Sequence, residues 1–269
     1  MIINHNLNAM NSHRNLTFNN VQQGKSSEKL SSGYRINRAA DDAAGLSISE
    51  KMRAQIKSMN QGMRNAQDGV SLVQAAEGAM NEVSDMLTRM KELAVQAANQ
   101  TYNANDHAAM VSEYDSLETA INYIADNSEF NGIKLLDGTA GATFNIQVGG
   151  GANDFVAVDF TTADITGMAF GTIDTVANAK LAMTSIDTAI TTVNTARSSL
   201  GAFQNQLEHV YNNVSVNAEN LQAAESRIRD TDMAAEMMKY TKFNILQQAS
   251  TAMLAQANQA PQGVLQLLR

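Results

Sequence analysis

Residues that could bind a metal ion or perform catalysis are scattered along this chain. The four histidines are His5, His13, His107 and His209, and none of them belongs to a helix-borne HExxH zinc motif. Cysteine is absent, which excludes thiolate metal sites and disulfides. The short central region contains no candidate pair of nucleophile and base. The sequence therefore predicts no metal, no cofactor and no enzymatic activity.

Two short motifs look like phosphate-binding loops. Residues 24–26, Gly-Lys-Ser, end like a P-loop, but Asn19 stands where the first glycine is required and no apolar strand precedes it. The glycines at 149–151 would need a following helix to cradle a phosphate, whereas residues 153–160 do not suggest one. We interpret the first motif as a polar helix surface and the second as a hairpin turn.

Two arginines and two aspartates stand close together in the polar segment between residues 34 and 45. Asp41 and Asp42 could act as an acid pair in catalysis. Their neighbours Arg35 and Arg38 favour another interpretation, because exposed opposite charges commonly form a solvated cluster. We therefore predict a charge cluster in this connector, either solvated or shared between subunits.

The elements that would position these residues are dominated by two long heptad patterns. Apolar residues recur at alternating spacings of three and four from Met52 to Ala97 and again from Ile186 to Ile228. Such patterns indicate helices that pack on each other or on other chains. The first helix is expected to run from about 45 to 99, roughly 80 Å. Five of the fifteen methionines lie in the first of these seams, either as core filling or as adaptable contacts, namely Met52, Met59, Met63, Met80 and Met90.

Between the heptad patterns the sequence predicts a second helix and a small β-hairpin. The stretch NQTYNAND at 99–106 breaks the first helix, and residues of about 108–128 return along it as an antiparallel hairpin. From 130 to about 171 the apolar period changes to two. TFNIQV and FVAVDF flank the turn signal GGGAND, which is typical of two paired strands. The helical register resumes at about 175.

Both chain ends are amphipathic but lack an evident partner within the monomer. Residues 1–33 and the tail after 233 carry apolar side chains at helical spacing. Unpaired apolar faces of this kind mark contacts with other molecules. We therefore predict that contacts between subunits involve six residues of these ends, namely Ile3, Leu7, Met10, Met253, Val264 and Leu267.

Composition limits the classes of partner and location. The net charge of −8 and the pI near 5.0 argue against nucleic-acid binding, which needs clustered Lys and Arg. The sequence contains no apolar run of about 18 residues, so no membrane span is predicted. The first sixteen residues lack the apolar stretch of a secretory signal, so we expect a cytoplasmic protein or one exported without a cleaved signal. The only proline is Pro261, so helices can propagate almost throughout.

The predicted fold class is mainly α, a long antiparallel helical coiled-coil rod built from both chain ends with a small β-hairpin region in the middle. We expect an N-terminal segment and connector at 1–44 and a long helical hairpin at 45–138. A β-rich central region follows at 139–175, then the second long helix at 176–234 and a C-terminal segment at 235–269.

Several long motifs resemble those of bacterial flagellins. They occur in order at residues 1–16 (MIINHNLNAMNSHRNL), 29–56 (KLSSGYRINRAADDAAGLSISEKMRAQI), 90–99 (MKELAVQAAN), 128–138 (SEFNGIKLLDG), 221–237 (LQAAESRIRDTDMAAEM) and 254–269 (LAQANQAPQGVLQLLR). The resemblance covers about 1–138 and 180–269. Many flagellins carry large outer domains in the middle, whereas this chain has only about forty residues there, so it resembles the minimal type.

The resemblance implies a structural subunit that polymerises into the flagellar filament for swimming motility. In that family the terminal segments pair in the innermost layer, and the long helices form the next layer. It also implies export without a cleaved signal peptide to the extracellular filament. Because ordering the terminal residues costs much backbone entropy, we expect the terminal helices to fold on assembly. The implied partners are other copies of the chain, an export chaperone at the C-terminal helix, and the filament cap and hook-junction proteins.

Other functions remain compatible with the same helices. A hook–filament junction protein or a minor flagellin-like protein would share the terminal motifs. From a different class, an adhesin or coiled-coil scaffold could use the same heptads and would stay a discrete oligomer. Growth of long filaments from seeds would separate these alternatives.

The run LTRMKELAVQ at 87–96 resembles the segment by which stimulatory flagellins bind animal Toll-like receptors. The matching residues are Arg89, Glu92 and Leu93, while Lys91 replaces a common arginine. Arg89 and Leu93 lie four apart and off the apolar seam, so both are predicted to face outward. With Glu113 from the returning helix they form a hypothetical receptor-binding site. The alternative is an ordinary solvated helix face.

Overall fold

The computed structural model describes residues 5–138 and 143–267, with side chains through residue 259. Its long helices are α1 (Leu7–Ser32), α2 (Ala43–Ala97), α3 (Ala104–Asn127), α4 (Val176–Arg229) and α5 (Met233–Leu267). Two small antiparallel hairpins pair β1 (Glu129–Phe130) with β2 (Ile133–Lys134) and β3 (Thr143–Gln147) with β4 (Phe155–Asp159). The prediction of a mainly α protein with a small β-hairpin region is confirmed.

The chain forms two compact units. Unit 1 consists of Met1–Ala54 and Asn220–Arg269, and unit 2 consists of Gln55–Glu219. Unit 1 thus combines segments from both chain ends, whereas unit 2 is continuous in sequence.

Short polar signals set the helix boundaries. The side chain of the residue before each of the five long helices accepts a hydrogen bond from a first-turn N–H; these residues are Asn6, Asp42, Asn103, Thr175 and Asp232. At α3, Asp106 completes a capping box. Helix α1 ends at Ser32 and is capped by Gly33, which has a left-handed φ of 76° and donates its N–H to the carbonyl oxygen of Lys29.

In unit 2 the two predicted apolar seams form one core. Glu77 pairs with Arg197, and Lys91 pairs with Asp187, so α2 and α4 are antiparallel. Helix α3 returns along α2 and contributes buried Tyr114 and Ile121. The buried seam residues include Val73, Ala76, Met80, Val83, Leu87 and Met90 of α2, and Ala179, Ile186, Val193, Leu200 and Leu207 of α4.

The hairpin of β3 and β4 packs on α2. Its register pairs Thr143 with Asp159 and Gln147 with Phe155, and it matches the predicted strands. The side-chain amide of Asn65 donates to the carbonyl oxygen of Gln147 at 2.8 Å. A Cβ at Gly62 would lie 2.5 Å from the carbonyl carbon of Val148 and closer still to its oxygen. The strand backbone therefore approaches α2 closely because residue 62 has no side chain.

The irregular segment after β4 is held against α3. The Tyr114 hydroxyl donates to the carbonyl oxygen of Phe170 at 2.8 Å, and both residues are buried. Burial raises the pKa of the Tyr114 hydroxyl, which keeps its proton for this bond. Phe160 packs edge-to-face on Phe144 with ring centroids 5.3 Å apart. The buried side chains of the central region thus extend the single core formed by the long helices.

In unit 1, α1 and α5 pack antiparallel. The side chain of Asn6 donates to the carbonyl oxygen of Ala257 at 2.7 Å, and Asn19 donates to Ser250 Oγ at 3.0 Å. This pairing corrects the prediction that the chain ends have no partner within the monomer. The family resemblance implied that the terminal segments pair, but the apolar pattern did not indicate this contact because its most buried side chains are polar.

Candidate functional site

The residues predicted to join subunits are exposed wherever the structure describes their side chains. Leu7 is 71% exposed, Met10 is 64% exposed and Met253 is 57% exposed. Ile3 lies outside the described residues. The side chains of Val264 and Leu267 also lie outside the described part of the chain.

Further apolar side chains extend this surface on both terminal helices. We define the terminal apolar surface as Leu7, Met10, Phe18 and Val21 of α1 with Met233, Met237, Met238, Ile245, Leu246 and Met253 of α5, all of which are exposed. A contiguous or repeated exposure of large apolar groups marks an interaction surface. Of these residues, Leu7, Met10 and Met253 were predicted from the sequence to join subunits. Helical spacing is the sequence signal that could have identified the others.

The contact between α1 and α5 is polar at its centre. Asn19 and Ser26 are the residues of α1 that are fully buried in the described part of this helix. Among the described side chains of α5, Glu236 is buried, and its carboxylate lies 3.1 Å from Lys239 Nζ. Burial favours the protonated form of Glu236, but hydrogen bonds from Ser26 and Lys239 outweigh it and lower the pKa of the carboxyl. Glu236 is therefore ionised at neutral pH.

The four charged residues of the connector lie together but do not pair with one another in the contacts described. Asp42 caps α2, and Asp41 accepts hydrogen bonds from the backbone N–H groups of Asn37 and Arg38. The bond from Arg38 is the main cause that lowers the pKa of Asp41. The Arg38 side chain pairs with Glu28 at 3.0 Å. The two aspartates therefore bind backbone N–H groups, whereas the Arg38 side chain links the connector to α1.

Arginines also tie the connector to the end of α4 within unit 1. The Arg35 guanidinium donates to the carbonyl oxygen of Ile228. The Arg229 guanidinium lies 4.8 Å from the centre of the Tyr34 ring and pairs with Glu50. Sequence reasoning did not identify Tyr34, Glu50 or Arg229, because the residues are far apart along the chain.

The predicted receptor-binding face is only partly exposed. Arg89 pairs with Glu113 at 2.8 Å and with Glu92 at 2.9 Å, and these side chains are about half exposed. Leu93 is only 2% exposed, so the prediction that it faces outward is wrong. Two helices, α3 and α4, cover α2 at this level, so the buried arc is wider than one heptad seam. Lys91 pairs with Asp187 of α4.

Features of a metal centre or membrane anchor are lacking in the described residues. There, no group of three or more His, Cys, Asp or Glu side chains could hold a metal ion. None of the helices searched is long and apolar enough to cross a membrane.

Comparison with known proteins decides the family. The model described as "Bacterial flagellin N-terminal helical region" matches residues 3–141, and that of the "Bacterial flagellin C-terminal helical region" matches residues 183–268. This chain belongs to the bacterial flagellins. The flagellin of Halalkalibacterium halodurans is 55% identical over 273 residues, and that of Bacillus subtilis is 47% identical over 306 residues. Each alignment covers 100% of both chains.

Solved structures agree with this family. The crystal structure of Bacillus cereus flagellin is 36% identical, with a TM-score of 0.52 over 60% of this chain and 94% of that chain. A flagellar hook-associated protein of Vibrio parahaemolyticus has a TM-score of 0.61 over 71% of this chain and 100% of that chain. At 16% identity, the second similarity shows a shared fold alone.

Family membership confirms the function that the motifs implied. This flagellin is a structural subunit that polymerises into the bacterial flagellar filament, an extracellular organelle of motility. Flagellins are structural proteins and not enzymes. Self-association therefore involves the surface of the chain, and the terminal apolar surface is our candidate for it.

Proposed function

We propose that the terminal helices of this flagellin become stably ordered as each subunit joins the filament. The observation that supports this proposal is the terminal apolar surface, in which residues such as Leu7 remain mostly exposed in the single chain. Ordering about 70 terminal residues costs on the order of 70–140 kcal/mol of backbone entropy. A polar contact between two helices offsets little of this cost, so neighbouring subunits must cover the apolar side chains.

Amide hydrogen exchange tests this coupling of folding and assembly. In the free subunit, residues 1–33 and 240–269 should exchange within seconds, while residues 60–95 and 200–225 should be protected. The reason is that the latter lie in or beside the apolar seams of the long helices, such as buried Val73 and Leu207. In assembled filaments the terminal amides should become protected. Strong protection of both ends in the free subunit would contradict the proposal.

We infer that the chain builds long filaments and does not serve as a hook–filament junction. The full-length alignments with flagellins support this inference. Purified chain added to filament seeds should grow long polymers visible by negative staining. A junction protein would stop after a short zone, and a scaffold or adhesin would stay a discrete oligomer.

We propose to divide the chain according to the layers of the filament. We assign residues 1–44 and 235–269 to the filament core and connector, and residues 45–138 and 176–234 to the surrounding helical layer. Residues 139–175 form the small central region. This division rests on the family resemblance and on the element boundaries of the chain.

The family also suggests how the chain reaches the filament. We propose export without a cleaved signal peptide, an export chaperone bound at the C-terminal helix, and contacts with the filament cap and hook-junction proteins. The exposed methionines of α5, including Met237 and Met238, suit a chaperone groove because thioether side chains adapt to different surfaces.

We further propose that animal Toll-like receptors bind the free subunit around Arg89 and Glu113. The half-exposed ion pair between these residues presents charged groups from two adjacent helices. Leu93 is buried, so we assign it to the packing of α2 and not to direct contact with the receptor. The Lys91 substitution reduces the match to stimulatory flagellins, because lysine lacks the bidentate fork of arginine.

Replacing Arg89 by Asp should weaken binding to the receptor ectodomain more than about tenfold, or roughly 1.4 kcal/mol. The change removes a cation and places a third carboxylate beside Glu92 and Glu113. Surface binding assays on the free subunit measure the effect, and circular dichroism checks that helicity is unchanged. Arg64→Asp is the matched control, since Arg64 is an exposed arginine elsewhere on α2. Equal affinity of Arg89→Asp and the parent, or no binding by the parent, would remove this site.

A further inference from the structure

The most buried described side chains of α1 and α5 are polar. Asn19 and Ser26 are buried at the contact, whereas Leu7, Met10 and Phe18 of the same helix are more than half exposed. The Asn19 side-chain amide donates to Ser250 Oγ at 3.0 Å, and the Ser26 hydroxyl donates to the Glu236 carboxylate. Among the described side chains of these two helices, the most buried ones are thus polar, while apolar side chains such as Leu16 and Phe243 are half-buried.

The hydrogen-bond partners of these polar side chains match in one alignment of α1 against α5. From Asn6 to Ser26 the chain advances along α1, while their partners run back along α5 from Ala257 to Glu236. Apolar residues on a helix can exchange partners when the helix slides by one heptad. A buried amide or carboxylate cannot, because a slipped register would leave it without a hydrogen-bond partner.

The charges near Glu236 strengthen this requirement. Lys239 of α5 and Lys29 of α1 both favour its ionised form, and Ser26 donates a hydrogen bond to it. Arg35, Asp41, Asp42 and Asp232 line the same cleft. A shift of α5 would leave an ionised carboxylate buried away from the hydroxyl of Ser26 and from Lys29, and desolvation disfavours such an arrangement.

We propose that Asn19, Ser26 and Glu236 fix the register of α1 against α5, at a cost in stability, so that every subunit presents the terminal apolar surface in one alignment. Buried polar residues set register in this way in coiled coils. A helical polymer needs identical surfaces on successive subunits, so a single register is required for regular growth. The proposal rests on the filament function of this family but concerns contacts within one chain.

Cysteine pairs test the register directly, because the chain contains no cysteine of its own. Asn6→Cys with Ala257→Cys reports the observed alignment, since Asn6 contacts Ala257. Asn6→Cys with Val264→Cys reports a slip of one heptad. Disulfide yields of both pairs are measured in seeded filaments and in the soluble chain, where oxidation traps the helix pair each time it forms, so a variant that does not assemble still gives a result.

In the background of Asn19→Leu with Glu236→Leu, the ratio of slipped to observed disulfide should rise about tenfold or more. Exchanging the partners, Asn19→Ser with Ser250→Asn, keeps the hydrogen-bonded pair and should keep the ratio of the parent. An unchanged ratio in the leucine variant, or the same rise in the exchanged variant, would overturn the proposal. Loss of seeded growth by the parent chain would instead count against the filament function.

Discussion

Deleting residues 236–269 is expected to abolish filament formation while leaving a soluble, helical fragment of residues 1–235. The deletion removes nearly all of α5, including Met253 of the terminal apolar surface and Ser250, the partner of Asn19. Unit 2 keeps its own core, with Val73, Leu87 and Val193 fully buried, so it should remain folded. We expect assembly to be lost completely, because α1 then lacks its partner helix.

Sedimentation and negative staining after addition of seeds measure this loss, and circular dichroism measures the remaining helicity. The intact chain under the same conditions is the control for competent seeds. Amide protection at residues 60–95 should be the same in both chains, which separates loss of assembly from general unfolding. Long filaments grown from the truncated chain would show that α5 is dispensable.

The second large effect concerns two glycines of α2 that look alike in sequence. Gly62→Ala should destabilise the free subunit by about 1–3 kcal/mol, because the new methyl group overlaps the backbone of Val148 and forces the hairpin away from α2. Gly78→Ala should stabilise it by up to about 1 kcal/mol, because alanine favours the helix. A Cβ at Gly78 meets no atom within 4 Å.

Denaturant unfolding followed by circular dichroism measures both free energies of unfolding in one experiment. The two substitutions are chemically identical and lie on the same helix, so Gly78→Ala is the matched control. Opposite signs of the two changes are the expected result. Equal stabilisation by both substitutions would mean that β3 and β4 do not pack closely on α2.

The helices and the hairpin could be predicted because their signals are local. The predicted start of the second helix near residue 108 lies four residues after the observed start of α3 at Ala104, because the capping residues Asn103 and Asp106 lie within the stretch interpreted as a break. The predicted end of the first long helix near residue 99 lies close to its observed end at Ala97. The alternation of TFNIQV and FVAVDF identified β3 and β4 for the same reason, since side-chain period reflects backbone geometry alone.

Leu93 shows where a local pattern fails. It lies outside the heptad seam, yet it is buried because α2 contacts two helices at this level. Periodicity reports that a helix has a covered face, but the width of that face depends on how many neighbours cover it. The receptor site therefore needed the tertiary structure to separate exposed Arg89 from buried Leu93.

Sequence alone determined the mainly α class, the two apolar seams, the absence of cysteine chemistry and, through long ordered motifs, the flagellin family. Tertiary structure decided which polar residues are buried and at which glycine a distant backbone leaves no room for a side chain. Asn19 and Glu236 resemble surface residues locally, and their burial depends on a helix from the opposite end of the chain. Gly62 is likewise special only because a strand some eighty residues later crosses it. Contacts between distant segments carry no local period, so only the folded chain reveals them.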